Sequence, residues 1–172
     1  SNWLIEGGIR YDFSHINAYK YYRTSLWEAR NYDELFPEIV VEDLGLNTLT
    51  NPKFNFNNFS SNLGTRYTIN KGENIYFNYS ISSRKPNPSE LFSEGLHHSS
   101  ARIEIGDLRF NSEVGHNVSL TYNFVNENSS LTVNSFANFV NDFIYIIPVD
   151  LMSTIAGVFP YWEYKQSDAN LF

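Results

Sequence analysis

Along most of this 172-residue chain, apolar and polar side chains alternate with a period of two. That is the spacing of an extended strand whose two faces meet different surroundings. Six such runs stand out. The first covers Trp3 to Phe13, where Trp3, Ile5, Ile9, Tyr11 and Phe13 oppose Leu4, Glu6, Arg10 and Asp12, and Gly7 and Gly8 interrupt both faces. The second covers Phe56 to Ile69, with Phe59, Leu63, Tyr67 and Ile69 against Ser60, Asn62, Arg66 and Thr68. The third runs from Asn74 to Ser83, with Ile75, Phe77, Tyr79 and Ile81 on one face. The fourth runs from Glu113 to Val125, with Val114, Val118, Leu120, Tyr122 and Phe124 on one face. The fifth extends from Ser130 to about Tyr145, where Leu131, Val133, Ala137, Phe139 and Phe143 oppose Thr132, Asn134 and Asn138. The sixth, Tyr161 to Phe172, alternates least. Odd-numbered positions fall on the apolar face of most of these strands.

The connections alternate as well. Asn70-Lys71-Gly72-Glu73 and Asn126-Glu127-Asn128-Ser129 are tight turns, the first with a Gly for a positive φ. The other three are long, over residues 14–55, 84–112 and 146–160, which places every short turn at one end of the sheet. The pattern predicts an all-β fold, an antiparallel meander of about six long strands resembling part of a transmembrane β-barrel. A tilted strand needs ~9–11 residues to cross hydrocarbon, and these runs reach that length. Tyr122 and Phe124 before one turn, and Tyr76 and Phe77 after the other, would form an interfacial girdle. The alternating faces would then be lipid and lumen. The rival is a soluble, secreted β-sandwich binding module, an adhesin or carbohydrate binder. Sandwich strands average ~5–6 residues, with turns every ~8–12, which suits this chain less well. Six strands cannot close a barrel, so both margins would present unpaired backbone groups.

Composition narrows the chemistry. Twelve basic against 19 acidic residues give a net charge of −7, without the basic footprint of a nucleic-acid binder. The absence of Cys excludes disulfides, thiolate zinc sites and cysteine nucleophiles. Aromatics make up 17% of residues, too many for a disordered chain, and no run approaches the ~20 apolar residues of a membrane helix. No Gly-rich phosphate loop, His-Glu-x-x-His or Gly-x-Ser-x-Gly occurs. The chain is therefore expected to be no enzyme and to hold neither cofactor nor metal. The acidic residues Glu28, Asp33, Glu34, Glu38, Glu42 and Asp43 match no calcium cage and read as a solvated loop. Ala169-Asn170-Leu171-Phe172 reads as mid-strand, so the expectation is a segment of a longer protein.

The loop after the third strand reads Arg84-Lys85-Pro86-Asn87-Pro88-Ser89-Glu90-Leu91-Phe92-Ser93-Glu94-Gly95-Leu96-His97. Its Arg-x-Pro, Glu-Leu-Phe and Gly-x-His resemble a signature of TonB-dependent outer-membrane receptors. Glu104-Ile105-Gly106-Asp107-Leu108 and then Glu113 resemble the family's Glu-x-Gly-Asn/Asp continuation. Three echoes follow in order: Gly8-Ile9-Arg10-Tyr11-Asp12, Phe59-Ser60-Ser61-Asn62-Leu63-Gly64 and Gln166-Ser167-Asp168-Ala169. Together they span nearly the whole chain, so residues 1–172 look like one partial barrel domain.

The resemblance implies a barrel of 22 strands around a plug, in the outer membrane of a Gram-negative cell. This chain would lie in the second half of that barrel. The implied partners are outer-membrane lipid, TonB through a plug domain, and a small-molecule ligand such as an iron chelate. Neither plug nor TonB box is readable in these residues. Ferric-siderophore import is the first expectation, with haem or oligosaccharide uptake as alternatives. Arg84, Pro86, Glu90, Leu91, Phe92, Gly95, His97, Glu104 and Gly106 would form the structural motif. In it Pro86 and Pro88 end the third strand, Gly95 permits a bend, and Arg84 pairs with Glu90 across the folded loop.

Candidate ligand contacts are Arg84, His97, His98, Trp27 and Trp162. Haem receptors of this family place an axial His in such a loop. Their Phe-Arg-Ala-Pro and Asn-Pro-x-Leu signatures, however, are here Ser83-Arg84-Lys85-Pro86 and Gly106-Asp107-Leu108. Trp27 and Trp162 belong to loops rich in aromatics, which suit a planar or sugar-like ligand or else pack among themselves.

Overall fold

The computed structural model describes residues 2–23, 26–45 and 47–172. Six long strands carry the chain: β1 (Trp3–Asn17), β5 (Lys53–Asn70), β6 (Glu73–Arg84), β9 (Glu113–Val125), β10 (Ser130–Thr154) and β11 (Gly157–Leu171). They lie side by side in one open sheet, in the order β1-β5-β6-β9-β10-β11. Successive long strands are neighbours, as in a meander, and are not divided between two facing sheets. Two short strands, β8 (Arg102–Ile105) and β7 (Glu94–His97), continue the sheet beyond β11.

Contacts divide the chain into two units, residues 1–12 with 58–172, and residues 13–57. In the first, the cross-strand register separates two faces. Tyr67, Ile75, Tyr122 and Val133 form one row, and Leu63, Tyr79, Val118 and Ala137 another. Asn62, Ser80, Asn117 and Asn138 form a row on the opposite face. Alternation thus sorts aliphatic and aromatic side chains to one side and amides and hydroxyls to the other. The apolar side is bare: Ile5 is 66% exposed and Ile9 82%. Near the short turns Trp3 packs on Tyr67 with ring centroids 4.7 Å apart, and Tyr122 lies on the same face one strand beyond Ile75. Phe77 and Phe124 share this face. Tyr76 does not, because it pairs with Arg66 and Thr121 on the polar side, and the girdle expected there loses it.

The third long connection is a correction. Residues 146–160 form no loop; β10 and β11 run on as a hairpin with Thr154 opposite Gly157. Two register shifts hide it, between Val140 and Phe143 and between Pro148 and Asp150. Each inserts an extra residue into β10 and inverts the alternation. At the first, Asp142 has φ 57°. Val140 pairs with Ala169 and Phe143 with Ser167, so Phe143 shares a face with Val140 and leaves the Phe139 side on which the sequence placed it.

The second unit is built on the first long connection. β2 (Tyr21–Arg23), β4 (Thr48–Thr50) and β3 (Val40–Asp43) form a three-stranded sheet, in that order. The helical turns α1 (Leu26–Ala29) and α2 (Tyr32–Leu35) and a 3-10 turn (Pro37–Ile39) lie between β2 and β3. Trp27, expected as an exposed loop aromatic, is only 4% exposed. It meets Tyr32 edge-on at 5.4 Å, and Tyr32, Phe36 and Phe54 follow at 5.8 Å each. An aromatic chain of this kind is the small unit's core. Among the described residues, no helix is long and apolar enough to cross a membrane.

Candidate functional site

The loop between β6 and β9 is folded around one guanidinium. Arg84 closes β6. Pro86 is fully buried, and Pro88 opens the helical turn α3 (Pro88–Phe92), where the missing N–H and preset φ suit a first helical position. Glu90 reaches back to accept the Asn87 N–H at 2.6 Å, half of a capping box. The same carboxylate lies 3.0 Å from Arg84 Nη1, so the pair expected from their spacing forms. Arg84 Nε also donates to Glu113 Oε2 at 2.6 Å, and Glu113 Oε1 accepts the Ile144 N–H at 2.5 Å. One cation therefore ties the ends of β6 and β9, the turn α3 and the backbone of β10. Glu113 first, and Glu90 second, hold Arg84 protonated beyond the ordinary guanidinium range, against the opposing effect of burial.

Leu91 is fully buried beneath this network. Gly106 then crosses α3 at close range. Its N–H donates to Ser93 O at 2.7 Å, and Asp107 N–H to Glu90 O at 2.8 Å. A β-carbon at Gly106 would stand 2.6 Å from Glu90 O and 2.7 Å from the Leu91 carbonyl carbon. Gly95 has φ 152° within β7, a backbone that disfavours a side chain. Phe92 is half-buried at the end of α3.

The distal half of the loop is the β7–β8 hairpin, in which His97 pairs with Arg102 and Gly95 with Glu104. β8 lies parallel to β11, with Ile103 opposite Tyr161, Glu104 opposite Trp162 and Ile105 opposite Glu163. His97, Arg102, Glu104 and Trp162 consequently share a face. Arg102 stacks over Trp162, its Cζ 4.8 Å from the ring centroid. Its Nε donates to Glu104 Oε1 at 2.6 Å, and Glu104 Oε2 accepts from Tyr164 OH at 3.3 Å. Burial, then the Glu104 charge, pushes the Tyr164 phenol above its ordinary range. His97 is exposed, with Nδ1 3.1 Å from Ser99 Oγ and 3.0 Å from Ser100 Oγ. His98 is exposed in the adjoining turn.

Of the five candidate contacts, His97 and Trp162 come to one face, around an Arg102 that sequence reasoning did not single out. Arg84 sits on two carboxylates at the loop's base, and Trp27 is buried in the other unit. The signal for Arg102 was the brief alternation Arg102-Ile103-Glu104-Ile105, too short to stand out inside a long connection. Gln166, one of the motif echoes, also has work here: its amide donates to Asn111 O at 2.9 Å and to Asp142 O at 2.8 Å.

Curated protein sequences include none that matches this chain. Among solved structures, a double mutant of the Serratia marcescens hemophore receptor HasR, in complex with its hemophore HasA and heme, superposes with a TM-score of 0.57. That match covers 98% of this chain and 28% of HasR at 17% identity, so the chain spans little more than a quarter of that receptor, and at this identity the likeness is one of fold. The family described as TonB dependent receptor-like, beta-barrel, matches residues 1–169. The chain belongs to the β-barrel family of TonB-dependent receptors.

Proposed function

We propose that this chain is part of the wall, with two of the outward loops, of an outer-membrane receptor that imports a scarce nutrient by TonB-dependent transport. The observation that carries the reading is the bare apolar face opposite a row of amides and hydroxyls. Such a face suits lipid, and the polar side suits a hydrated lumen. The belt from Trp3 to Tyr11 is about 20 Å tall at ~3.3 Å per residue and ~40° tilt, close to the ~25 Å of an outer-membrane band. The Arg84 network and the β7–β8 hairpin then lie beyond the hydrocarbon, at the end opposite the turns that join β5 to β6 and β9 to β10. A plug from the same receptor would contact the polar face and reach TonB.

The cargo we favour is a ferric siderophore, on the resemblance of the motif loop. Haem is the second reading. Its support is His97, whose Nδ1 rests on two hydroxyls so that Nε2 is the remaining ring nitrogen, and the haem complex of the HasR neighbour. The test is uptake by cells in which the full receptor is the sole candidate importer. Iron-chelate or haem accumulation should occur with TonB present and vanish in its absence. Uptake indifferent to TonB would indicate a passive pore. A full-length product that stays soluble without detergent would refute the membrane assignment.

A further inference from the structure

We propose that the lumen side of β6, β9 and β10 is the arc of the wall along which cargo passes, while the lumen side of β1 and β5 stays against the plug. The proposal rests on the uptake reading above and locates the path within this chain.

The two arcs differ in charge. On β1 and β5 the polar side carries Glu6, Arg10, Asp12 and Arg66. Its parity is fixed by Gly8, whose β-carbon would meet Asn62 Oδ1, and by Arg66 opposite Tyr76. On the next three strands the polar side runs from Asn74 to Ser82, from Gly115 to Val125 and from Thr132 to Val140. Every residue on it is uncharged. In a chain with 18% charged residues, charge is kept off this face until Arg84 meets Glu113 at its outer end. Fixed charges suit a lasting partner, whose contact offsets the cost of ordering both side chains. They suit a passing solute badly, because passage needs sites weak enough to leave.

The neutral arc is also smooth. A β-carbon at Gly64 would stand 2.9 Å from Asn78 Oδ1, and one at Gly115 3.2 Å from Ser82 Oγ. The amide and the hydroxyl therefore lie along the wall, in space that a side chain on the neighbouring strand would fill. Asn117 Nδ2 donates to Asn138 Oδ1, and Asn123 Nδ2 to Thr132 Oγ1 at 3.2 Å. Amides that bond sideways make few demands on what faces them. A glycine inside a strand weakens it and marks a place where something approaches closely. Over Gly115 the face opens into a recess of about 390 Å³ beside Asn138 and Phe143, just short of the Arg84–Glu113 pair. Such an arc offers a solute many interchangeable hydrogen bonds and no single strong one.

The test places single thiols in the full receptor, in cells, with any cysteine elsewhere replaced by serine. Asn78→Cys and Ser119→Cys report the neutral arc; Glu6→Cys and Arg66→Cys report the charged one. Haem, ferric citrate and a ferric tris-catecholate are the cargo probes. Unlabelled Asn78→Cys and Ser119→Cys should import at the wild-type rate, because the path is built from interchangeable contacts, and that rate shows them folded. With TonB and a transported probe, a water-soluble maleimide should react several-fold faster at 78 and 119 than without TonB. Its rate at 6 and 66 should not change. A bulky polyethylene glycol adduct at 78 or 119 should then abolish uptake and leave binding of the probe at the cell surface at the wild-type level. Labelling at 78 and 119 indifferent to TonB, equal acceleration on both arcs, or full uptake past the bulky adduct would overturn this proposal and leave the uptake reading standing. Wild-type uptake indifferent to TonB would overturn the uptake reading and the proposal with it.

Discussion

At Gly106 a hydrogen atom is all that fits between the loop and the turn it crosses. Gly106→Ala would place a β-carbon 2.6 Å from a backbone oxygen, and backbone cannot swing aside as a side chain can. Overpacking of this kind costs about 1–3 kcal/mol. Hydrogen exchange at Ile103 to Ile105 in the full receptor should accelerate; unchanged exchange would mean that the loop does not depend on this crossing. Arg84 makes a second residue-scale case. Breaking a buried ion pair costs about 3–5 kcal/mol, and with its side chain 41% exposed we expect Arg84→Gln to cost about 2. Exchange should rise in Pro88–Phe92, and Arg84→Lys should restore it only partly, since an ammonium lacks the planar fork that reaches Glu113 through Nε and Glu90 through Nη1. Tyr164 carries a pH dependence. Its phenol is raised above the ordinary 10.0, first by burial, so the folded chain keeps a proton that the unfolded chain has lost. The loop's attachment is complete below pH 10 and weakens as pH rises through the raised value. Tyr164→Phe should abolish that alkaline step in Trp fluorescence, and its persistence would assign the step to another group. Arg84, Glu90 and Gly106 were legible because the motif fixes their spacing. Arg102 was not, because its partner Trp162 is distant in sequence and only the parallel pairing of β8 with β11 brings them together.

Strands survive translation from sequence to structure where alternation is unbroken. β6 and β9 lie where the period-two pattern put them, and β1 and β5 extend it. Alternation fails at the two places in β10 where an extra residue enters, and Pro148 and Pro160 add the composition of a loop. The hairpin beyond Tyr145 was therefore read as a connection. The short strands β7 and β8, four residues each, and the buried aromatics of the small unit were illegible for a different reason: their partners are set by tertiary pairing. Two turn positions test the element scale. Gly72 has φ 85°, and a β-carbon there would lie 2.1 Å from Val125 O. Gly72→Ala should destabilise the β5–β6 turn by more than the ~1–2 kcal/mol of a left-handed residue alone, read as a lower urea midpoint for the full receptor in lipid. Asp142 occupies the same region of φ at the first bulge. Asp142→Gly should be neutral and Asp142→Val destabilising by about 1–2 kcal/mol. Equal stability of the two variants would argue against the bulge.

For the whole molecule, everything turns on what the two faces of the sheet touch. If the apolar face meets hydrocarbon, a charge placed on it at mid-depth costs about 2–4 kcal/mol, and one on the lumen face costs little. Val118→Arg should thus impair insertion of the full receptor while Asn78→Arg should not. The open margins agree with this setting, since β1 ends the sheet on one side and β8 covers β11 only at Tyr161 to Glu163. An edge of this kind is tolerated when further strands continue the wall. The most direct measurement is a thiol scan along β6. The segment has no native Cys, so each thiol introduced from Ile75 to Ser82 reports its own surroundings here. With the full receptor in its membrane, a spin label on each thiol is tested against oxygen, which partitions into lipid, and a water-soluble nickel chelate. A wall with lipid on one face and lumen on the other requires strict alternation, with 75, 77, 79 and 81 accessible to oxygen and 76, 78, 80 and 82 shielded from it. Uniform accessibility to the nickel chelate on both faces would contradict it.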